Sequence, residues 1–406
     1  MLFGAGIPWI LAWWSYRNTV VQGRWLGALL LGAVVMKLGA FGSFPRLSDD
    51  AFRYVFEGQV VSEGQSPYAR APLDYTSDAA PFQAEGLREL VNHPEVPAAY
   101  PPVTQAYHAF VVRLAARAGA TSLEGTLAWL AAFAFGLDLV VLLCLATRLA
   151  PGRAGPILAW GYCPWLAFEF AGMAHFDVLG IALLVGGLAA SRRPVGAALL
   201  ALGGGVKFLP FLALPFVVRA ARRPLVASLV ALVVTLVSTV WVFALAGGVP
   251  SDGAGLGEYA LRWESWNLGY RWLERGLATL LDRDESWTDP RFVGRVTIGV
   301  LFLVVAWSSW RRKQDPISSL RRVFAAFLFL TPTLHPWYLA WGLPFFALRP
   351  SVAWSWIFLV APLAYLPLEG WQTEGVWREP AWLLPMTVLP FIALWAFEAW
   401  RGRSAP

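Results

Sequence analysis

The stretch from Leu47 to Pro72, LSDDAFRYVFEGQVVSEGQSPYARAP, places dense charge directly after the apolar run at 25–43. With Ser48 as N-cap it predicts a helix whose first turn carries two carboxylates, where the helix dipole favours acids. Four polar side chains share one helical face at i, i+3, i+4 and i+7, namely Asp50, Arg53, Tyr54 and Glu57. The rest of the stretch has an apolar side, so the pattern predicts an amphipathic helix along a membrane surface.

The composition is typical of a membrane protein. Of the 406 residues, 57% are hydrophobic and 14% are charged, and the mean hydropathy is +0.54, too apolar for an ordinary soluble protein. A spanning helix needs about 20 apolar residues, and shorter runs fit tilted or re-entrant pieces. By that test roughly thirteen segments qualify: 2–16, 25–43, 126–147, 154–173, 176–191, 195–207, 208–220, 224–247, 291–310, 321–336, 337–348, 352–367 and 381–400. The sequence predicts an all-α polytopic membrane protein with about 11–13 transmembrane helices, forming one integral domain over 1–406.

The charge distribution predicts how this chain is oriented. Short arginine-rich loops alternate with acidic loops, and basic short loops remain in the cytoplasm. The two long loops, 44–125 and 248–290, carry most of the acids and are predicted to be extracytoplasmic, with the C-terminus cytoplasmic. The net charge of +6 is therefore a topology signal and gives no reason to expect a nucleic-acid partner. The expected location is the bacterial plasma membrane.

Two further residue types bear on the fold and on function. Cys144 and Cys163 fall inside predicted spans and are expected to be small core residues without a disulfide. Lys207 lies between two short apolar pieces in GGGVKFLPFLALP (203–215). A cation at membrane depth is costly and indicates function, while snorkelling of its ammonium group to the interface is the structural alternative.

Four more outer segments carry residues that suit a hydroxyl-rich ligand. The proline-rich stretch at 92–110 stiffens a loop that exposes Tyr100. GMAHFDVLG (172–180) ends a span with a His-x-Asp pair, which is too few ligands to define a metal site. RWESWNLGYRW (262–272) and TLHPWYLAWGLPFF (333–346) mix aromatic rings with charged and amide groups.

Taken in order, five motifs resemble those of bacterial GT-C glycosyltransferases that use polyprenyl-phosphate sugars, a branch that includes mycobacterial mannosyltransferases. The motifs are SDDAFRYVFEGQVVSEGQSPY, HPEVPAAYPPVTQ, HFDVLG, KFLPFLALP and HPWYLAW, and they extend from about residue 45 to about residue 348. The resemblance implies a membrane-embedded GT-C fold, an extracytoplasmic active site, a lipid-phosphate sugar donor and inversion at the anomeric carbon. Mannose is expected because it is the sugar of the commonest members.

The resemblance also implies roles for individual residues. The family's catalytic Asp matches Asp50, which precedes Tyr54, Gly64 and Tyr68, and Asp49 is the second choice; the structural alternative is that both acids only cap a helix. A carboxylate can accept the proton of the attacking hydroxyl, and the departing phosphate needs positive charge. The candidates for phosphate binding are Lys207, His335, Arg262 and Arg53. The candidates for substrate binding are Tyr54, Glu57, Tyr100, His175, Asp177, Glu264, Asn267, Trp337 and Tyr338, of which His175 and Asp177 would orient the acceptor or a metal.

The predicted partners are the lipid bilayer, the polyprenyl-phosphate sugar and a glycolipid, polysaccharide or protein acceptor. No cofactor is required, and a divalent metal is left open. Two other functions stay as alternatives: a transporter or flippase for a sugar-linked lipid, and an inactive sugar-lipid binding protein. A transporter often shows internal repeats, and its site should open to both faces. Here no repeat is visible, and the candidate groups cluster on the outer side, so the transferase is favoured.

Overall fold

The computed structural model describes residues 2–42, 47–75, 86–245, 254–281, 289–312 and 314–403. Within these ranges the chain contains helices and no β-strand, and its only β pairings are two isolated bridges, Val20 with Arg153 and Ser265 with Thr333. The predicted all-α polytopic fold is confirmed. Lys313 and parts of the two long loops, 76–85, 246–253 and 282–288, lie outside the described residues.

The first half of the chain forms helices α1 to α10. Their bounds are α1 Leu2–Tyr16, α2 Gly23–Leu38, α3 Asp50–Ser62, α4 Leu87–Leu90, α5 Pro102–Arg117, α6 Leu123–Cys144, α7 Ala154–Gly161, α8 Pro164–Ala167, α9 Asp177–Ala189 and α10 Pro194–Gly204. Two π-helical turns follow α6 and α8, at Leu145–Leu149 and Phe168–Gly172, and a 3-10 turn covers Pro72–Asp74.

The second half forms helices α11 to α20. Their bounds are α11 Leu214–Ala220, α12 Pro224–Leu245, α13 Ala254–Arg262, α14 Tyr270–Ala278, α15 Pro290–Arg311, α16 Pro316–Leu330, α17 Pro336–Leu348, α18 Val352–Val360, α19 Leu368–Glu374 and α20 Leu383–Arg403. Proline is the first residue of α5, α8, α10, α12, α15, α16 and α17. A proline lacks the N–H that a helix start leaves unpaired, so it suits this position and ends any preceding helix.

Breaks of this kind limit the number of single helices that are long enough to cross a membrane. Four described helical segments are long and apolar enough, Leu123–Leu149, Pro290–Arg311, Val352–Glu374 and Leu383–Arg401. A fifth span is formed if the bent pair Pro164–Gly172 and Asp177–Ala189, at 114° to each other, counts as one. Two further apolar helices, α10 and the part of α12 from Pro224 to Val240, are shorter by this test, and the total of 11–13 spans stays a prediction.

The chain divides into two compact units. The first comprises Met1–Leu30, Gly152–Trp165 and Trp263–Pro406. In it α1 packs on α7, where Trp9 Nε1 donates to the Leu158 carbonyl at 2.9 Å. A side chain at Gly155 would clash with the Arg17 backbone, since a Cβ there would lie 2.6 Å from the Arg17 oxygen. The prediction of one integral domain stays a prediction.

The second unit comprises Leu31–Pro151 and Leu166–Arg262. Its centre is the packing of α3 on α5, which requires glycine at position 58: a Cβ there would lie 2.9 Å from the His108 backbone. The apolar side of α3, Phe52, Val55, Phe56 and Val60, is buried in a protein core. The prediction that α3 lies with this side on a membrane surface is therefore wrong, because α5 and the loops around it cover the helix.

The start of α3 also differs slightly from the prediction. The helix begins at Asp50 with Asp49 as its N-cap, and no side chain caps it in the usual way. The Ser48 hydroxyl instead accepts the Asp50 N–H at 3.2 Å.

A buried ion pair joins two apolar helices of the second unit. Lys37 Nζ in the last turn of α2 lies 2.6 Å from Asp138 Oδ2 in α6, and neither side chain is exposed. Lys37 lies inside the protein, where Asp138 provides the opposite charge. An ionised group without a partner in such a site would be strongly destabilising.

We expect Asp138→Leu to lower the free energy of unfolding by roughly 3–5 kcal/mol, because it leaves the Lys37 ammonium buried and unpaired. The double variant Lys37→Met/Asp138→Leu removes both charges and should recover most of that loss. Thermal unfolding of the purified protein in detergent measures both effects. A single variant that unfolds at the wild-type temperature would contradict this role of the pair.

Candidate active site

Asp50 lies at the first position of α3, and its two carboxylate oxygens have different surroundings. Asn92 Nδ2 donates to Asp50 Oδ1 at 2.6 Å and to Asp49 Oδ1 at 2.8 Å. The Tyr54 hydroxyl lies 3.4 Å from Asp50 Oδ2. The Asp50 side chain remains 15% exposed, so a small molecule can reach a carboxylate that is otherwise held in place.

Burial is the largest cause that shifts the Asp50 pKa, and the charge of Asp49 is the second. Together they raise it to about 6, although the Asn92 hydrogen bond and the charges of Arg53 and Lys207 act in the opposite direction. A carboxylate with a pKa near 6 is ionised at neutral pH and is more basic than an ordinary aspartate. This is the property that a general base requires.

Arg53 holds the loop that carries Asn92. Its Nε donates to Asn92 Oδ1 at 3.0 Å, which fixes the orientation of that amide. Its terminal nitrogens bond the carbonyls of Asn92, His93 and Val96, and one also reaches Glu57 Oε1 at 3.3 Å. Five contacts match the five N–H groups of a guanidinium. Arg53 therefore positions the loop, and its role in binding phosphate stays a prediction.

Glu57 lies one turn further along α3 and is also part of this support. It is buried, and Gln105 Nε2 donates to its Oε2 at 2.7 Å. Burial raises the Glu57 pKa, with Arg53 and Gln105 opposing that shift. The structure thus places Glu57 behind the accessible carboxylate, where it anchors Arg53 and α5.

Tyr54 connects Asp50 to the bend before α9. Its hydroxyl lies 3.1 Å from His175 Nδ1, and His175 Nδ1 lies 4.0 Å from Asp50 Oδ2. The other ring nitrogen of His175, Nε2, lies 3.3 Å from Glu169 Oε2. The Tyr54 ring packs at 4.7 Å on His108 and contacts three further rings, those of Tyr100, His175 and Phe176.

Lys207 is held beside this group by an ion pair. Its Nζ lies 2.8 Å from Asp177 Oδ1 and keeps 15% exposure, while Asp177 is buried at the start of α9. The backbone before Lys207 is tied to α5 by two bonds: Val103 N–H donates to Gly205 O at 3.0 Å, and Thr104 Oγ1 donates to Val206 O at 2.6 Å. Lys207 is thus fixed by protein contacts, and snorkelling does not explain its position.

Five of the predicted residues belong to the first unit. Glu264 lies 3.5 Å from Arg295, and Asn267 Oδ1 accepts the Arg271 N–H at 2.7 Å ahead of α14. His335 stacks on Trp337 with ring centroids 4.3 Å apart, and Tyr338 stacks beside both. His335 Nε2 also lies 3.4 Å from the Ser265 hydroxyl.

Arg262 differs from the other candidates. It ends α13 in the second unit, its side chain is 76% exposed, and it pairs with Glu258 one turn earlier. The structure gives it no contact with the group around Asp50 in any described bond.

Sequence reasoning missed two residues of this group. Asn92 opens the proline-rich motif, but nothing in its local pattern shows that its amide bridges two carboxylates. Glu169 lies inside the apolar segment 154–173, where an acid at membrane depth is itself a sign of function, so that criterion would have found it. Among the described residues, no three His, Cys, Asp or Glu side chains are placed to hold a metal ion.

We expect Arg53→Lys to loosen the segment 92–98 while α3 remains folded. A lysine keeps the charge but cannot replace five directed N–H groups. Hydrogen–deuterium exchange of the backbone amides of Val96 and Ala98, which donate to His93 O and Pro67 O, should speed up by roughly tenfold or more.

Arg113→Lys is the matched control, because Arg113 binds the Val61 and Ser62 carbonyls at the other end of α3. It should leave exchange at 92–98 as in the wild type. Equal exchange in the Arg53 variant and the wild type would show that Arg53 does not hold the loop.

Comparison with known proteins places this chain in a family. Residues 1–223 match the family described as "Alpha-(1->6)-mannopyranosyltransferase, N-terminal domain", and residues 277–369 match the "MptB C-terminal domain". The chain is 27% identical over 384 residues to "Alpha-(1->6)-mannopyranosyltransferase A" of Mycobacterium tuberculosis, covering 84% of this chain and 69% of that protein. No solved structure matches. Because the first match covers more than half of a polytopic membrane chain, the protein belongs to the alpha-(1->6)-mannopyranosyltransferase family of glycosyltransferases.

Proposed function

We propose that this protein is a membrane mannosyltransferase that moves mannose from a polyprenyl-phosphate donor to a hydroxyl of a glycolipid, polysaccharide or protein acceptor. The observation that carries the proposal is Asp50: its carboxylate is accessible, it is held by Asn92, and its pKa is raised to about 6. Membership of the family supports the sugar and the reaction class. The donor, the acceptor and the base belong to the proposal.

The proposed reaction is a single displacement. Asp50 accepts the proton of the acceptor hydroxyl while that oxygen forms a bond to the anomeric carbon. The bond from the anomeric carbon to the phosphate oxygen breaks, and the polyprenyl phosphate leaves as an anion, so the configuration inverts. A carboxylate in hydrogen-bond reach of the attacking hydroxyl suits this step.

Lys207 is the proposed counter-charge for the departing phosphate. Its ammonium has three donors, of which one faces Asp177, and the side chain keeps some exposure. Positive charge fixed in advance lowers the energy of a developing anion more than a mobile ion does. His335, Trp337, Tyr338, Glu264 and Asn267 stay proposed contacts for the sugar, phosphate or lipid.

The sidedness belongs to the proposal too. The Arg-rich short loops favour an extracytoplasmic site and a cytoplasmic C-terminus. A lipid-linked donor suits a site beside the membrane, because its phosphate stays at the headgroup level while its prenyl chain stays in lipid.

Asp50→Asn tests the base most directly, since the amide keeps the shape and loses the basic oxygen. We expect transfer from radiolabelled polyprenyl-phosphate mannose in detergent to fall by about 10²-fold or more, with donor binding retained. Near-normal transfer by the variant would show that Asp50 only begins a helix. Transport of labelled lipid across sealed vesicles, with no new glycosidic bond formed in detergent, would favour the flippase.

The pH dependence gives an independent check. Because protonated Asp50 cannot accept a proton, wild-type transfer should decline as the pH falls through about 6. Asp49→Asn removes a neighbouring negative charge that raises the Asp50 pKa. The pH at which transfer declines should therefore be lower for Asp49→Asn than for the wild type. If transfer by Asp49→Asn declined at the same pH as in the wild type, or at a higher pH, the proposed coupling of the two acids would be contradicted.

A further inference from the structure

Asn92 bonds two neighbouring carboxylates with one amide group. Its Nδ2 donates to Asp50 Oδ1 at 2.6 Å and to Asp49 Oδ1 at 2.8 Å, while its Oδ1 accepts from Arg53 Nε at 3.0 Å. The proposed reaction uses Asp50 alone, so it does not explain the bond to Asp49. Capping does not explain it either, because the Asp49 side chain makes no capping hydrogen bond to α3. The bridge between the two acids therefore needs a separate explanation.

The orientation of the Asn92 amide is fixed whether or not the two acids are ionised. An arginine Nε can only donate, so the Asn92 atom that faces it must be the oxygen. Nδ2, which can only donate, then lies against the acids, and each Oδ1 accepts one of its two hydrogens. The terminal nitrogens of Arg53 are held by carbonyls of the same loop. The amide therefore cannot turn over without setting one donor against another.

Adjacent carboxylates repel each other when both are ionised. Such a pair commonly holds one proton between its two acids, and the pKa of one of them is then strongly raised. A carboxyl that keeps its proton at neutral pH cannot act as a general base. One N–H on each acid stabilises both negative charges, since hydrogen bonds to ionised groups are stronger than those between neutral groups. The Asn92 bridge therefore opposes the sharing of a proton by Asp49 and Asp50.

The effects that act on the Asp50 pKa agree with this role. Burial and the charge of Asp49 raise the pKa, and the hydrogen bond from Asn92 is the largest effect that lowers it, ahead of the charges of Arg53 and Lys207. Asn92 thus opposes the Asp49 charge more strongly than either nearby cation does. The other ionisable groups around Asp50 are Tyr54, His175, Glu169 and Asp177.

We infer that Asn92 is a positioning residue for the proposed base: oriented by Arg53, it gives one N–H to each of two adjacent acids, and this keeps Asp50 from sharing a proton with Asp49. The inference rests on the proposed function, because Asp50 needs to be free of a proton only if it acts as the base. It gives Asn92 control over the pH range in which transfer occurs.

The first experiment measures the ionisation of Asp50 and needs no activity. Protein labelled with ¹³C at the aspartate carboxyl groups is placed in lipid nanodiscs, and the NMR signal of Asp50 is identified by its loss in Asp50→Asn. In the wild type this signal should titrate with a midpoint near pH 6. In Asn92→Leu the midpoint should move up by about one pH unit or more, the loss of one hydrogen bond to a charged group. An unchanged midpoint would overturn the inference.

Asn92→Asp separates the two N–H groups from the support of the loop. Its remaining oxygen can still accept from Arg53 Nε, so hydrogen–deuterium exchange of the Val96 and Ala98 amides should stay as in the wild type. It has no N–H for the acids and adds a charge of its own, so the Asp50 midpoint should move up at least as far as in Asn92→Leu. A wild-type midpoint in Asn92→Asp would overturn the inference.

A double-mutant cycle shows whether the second acid is involved. Asn92→Leu should move the Asp50 midpoint clearly less in an Asp49→Asn background than in the wild type, because no second acid is left to share a proton. Equal movement in both backgrounds would overturn the inference and leave Asn92 a simple hydrogen-bond donor to Asp50. Glu95→Gln is the matched control, since Glu95 is exposed in the same loop and pairs with His93. It should leave the midpoint where it is.

Transfer from polyprenyl-phosphate mannose connects the bridge to the reaction. Asn92→Leu should be about fivefold slower than the wild type at pH 6 but within about twofold at pH 8, as expected for a base whose titration has moved up by one pH unit. A loss of the same size at both pH values would show a structural defect and overturn the inference. If the wild type makes no glycosidic bond from this donor, the proposed function fails, and the carboxyl titrations still decide whether Asn92 keeps the two acids apart.

Discussion

The constraint on which this structure depends is that charge buried away from water must find a partner inside the protein. In an apolar chain of this kind the few ionisable groups at depth cannot be solvated, and an unpaired one would cost several kcal/mol. Lys37 with Asp138, Arg53 with Glu57, and Lys207 with Asp177 are three solutions to that constraint. The Lys37 pair joins two helices, and the Lys207 pair joins a loop to α9. The Arg53 pair lies within α3, but the other N–H groups of Arg53 bind the loop that carries Asn92. The pairs therefore fix both the packing and the candidate chemistry.

The sequence is sufficient to predict what depends on composition and local order. Hydropathy predicts an all-α membrane protein, and the paired acids predict the start of α3 to within two residues. It is not sufficient for α3 itself: the same amphipathic pattern fits a helix on a lipid surface and a helix packed on α5. The packing of α3 on α5, with its close approach at Gly58, distinguishes the two, and that packing depends on residues about 50 positions away along the chain.

The same limit explains the mixed result for the candidate site. The structure brings Asp50, Tyr54, His175, Asp177 and Lys207 close together, and their functional roles stay predictions. The guanidinium of Arg53 suits phosphate as well as carbonyl groups. Its role in holding the loop could therefore be recognised only from the positions of Asn92, His93 and Val96. Asn92 has no pattern of its own, because an amide that bridges two acids is a tertiary contact. Glu169 is the exception, since an acid within an apolar segment is visible in the sequence.

The backbone itself shows where the fold is held under strain. Three described residues other than glycine have positive φ: His93 at 45°, Ala174 at 59° and Trp266 at 29°. Such conformations are unfavourable for side-chain-bearing residues and persist only where surrounding contacts enforce them. His93 follows Asn92, and Ala174 precedes His175, so two of these residues adjoin the groups that hold Asp50. The Arg53 contacts to the Asn92 and His93 carbonyls supply the enforcement in the first case, and the bond from His175 N–H to Glu169 O supplies it in the second.

The bend between Gly172 and Asp177 joins these observations into one argument. A straight helix would place Glu169 and Asp177 more than two turns apart on one axis, and both would face similar surroundings. The break lets Glu169 approach His175 from one side while Asp177 begins a new helix and holds Lys207 on the other. One interrupted span thus positions a group behind the proposed base and the partner of the proposed phosphate ligand. An uninterrupted apolar helix would be the more stable element in lipid, so retaining this break fits a chain in which the site, and not the stability of the span, determines the local fold.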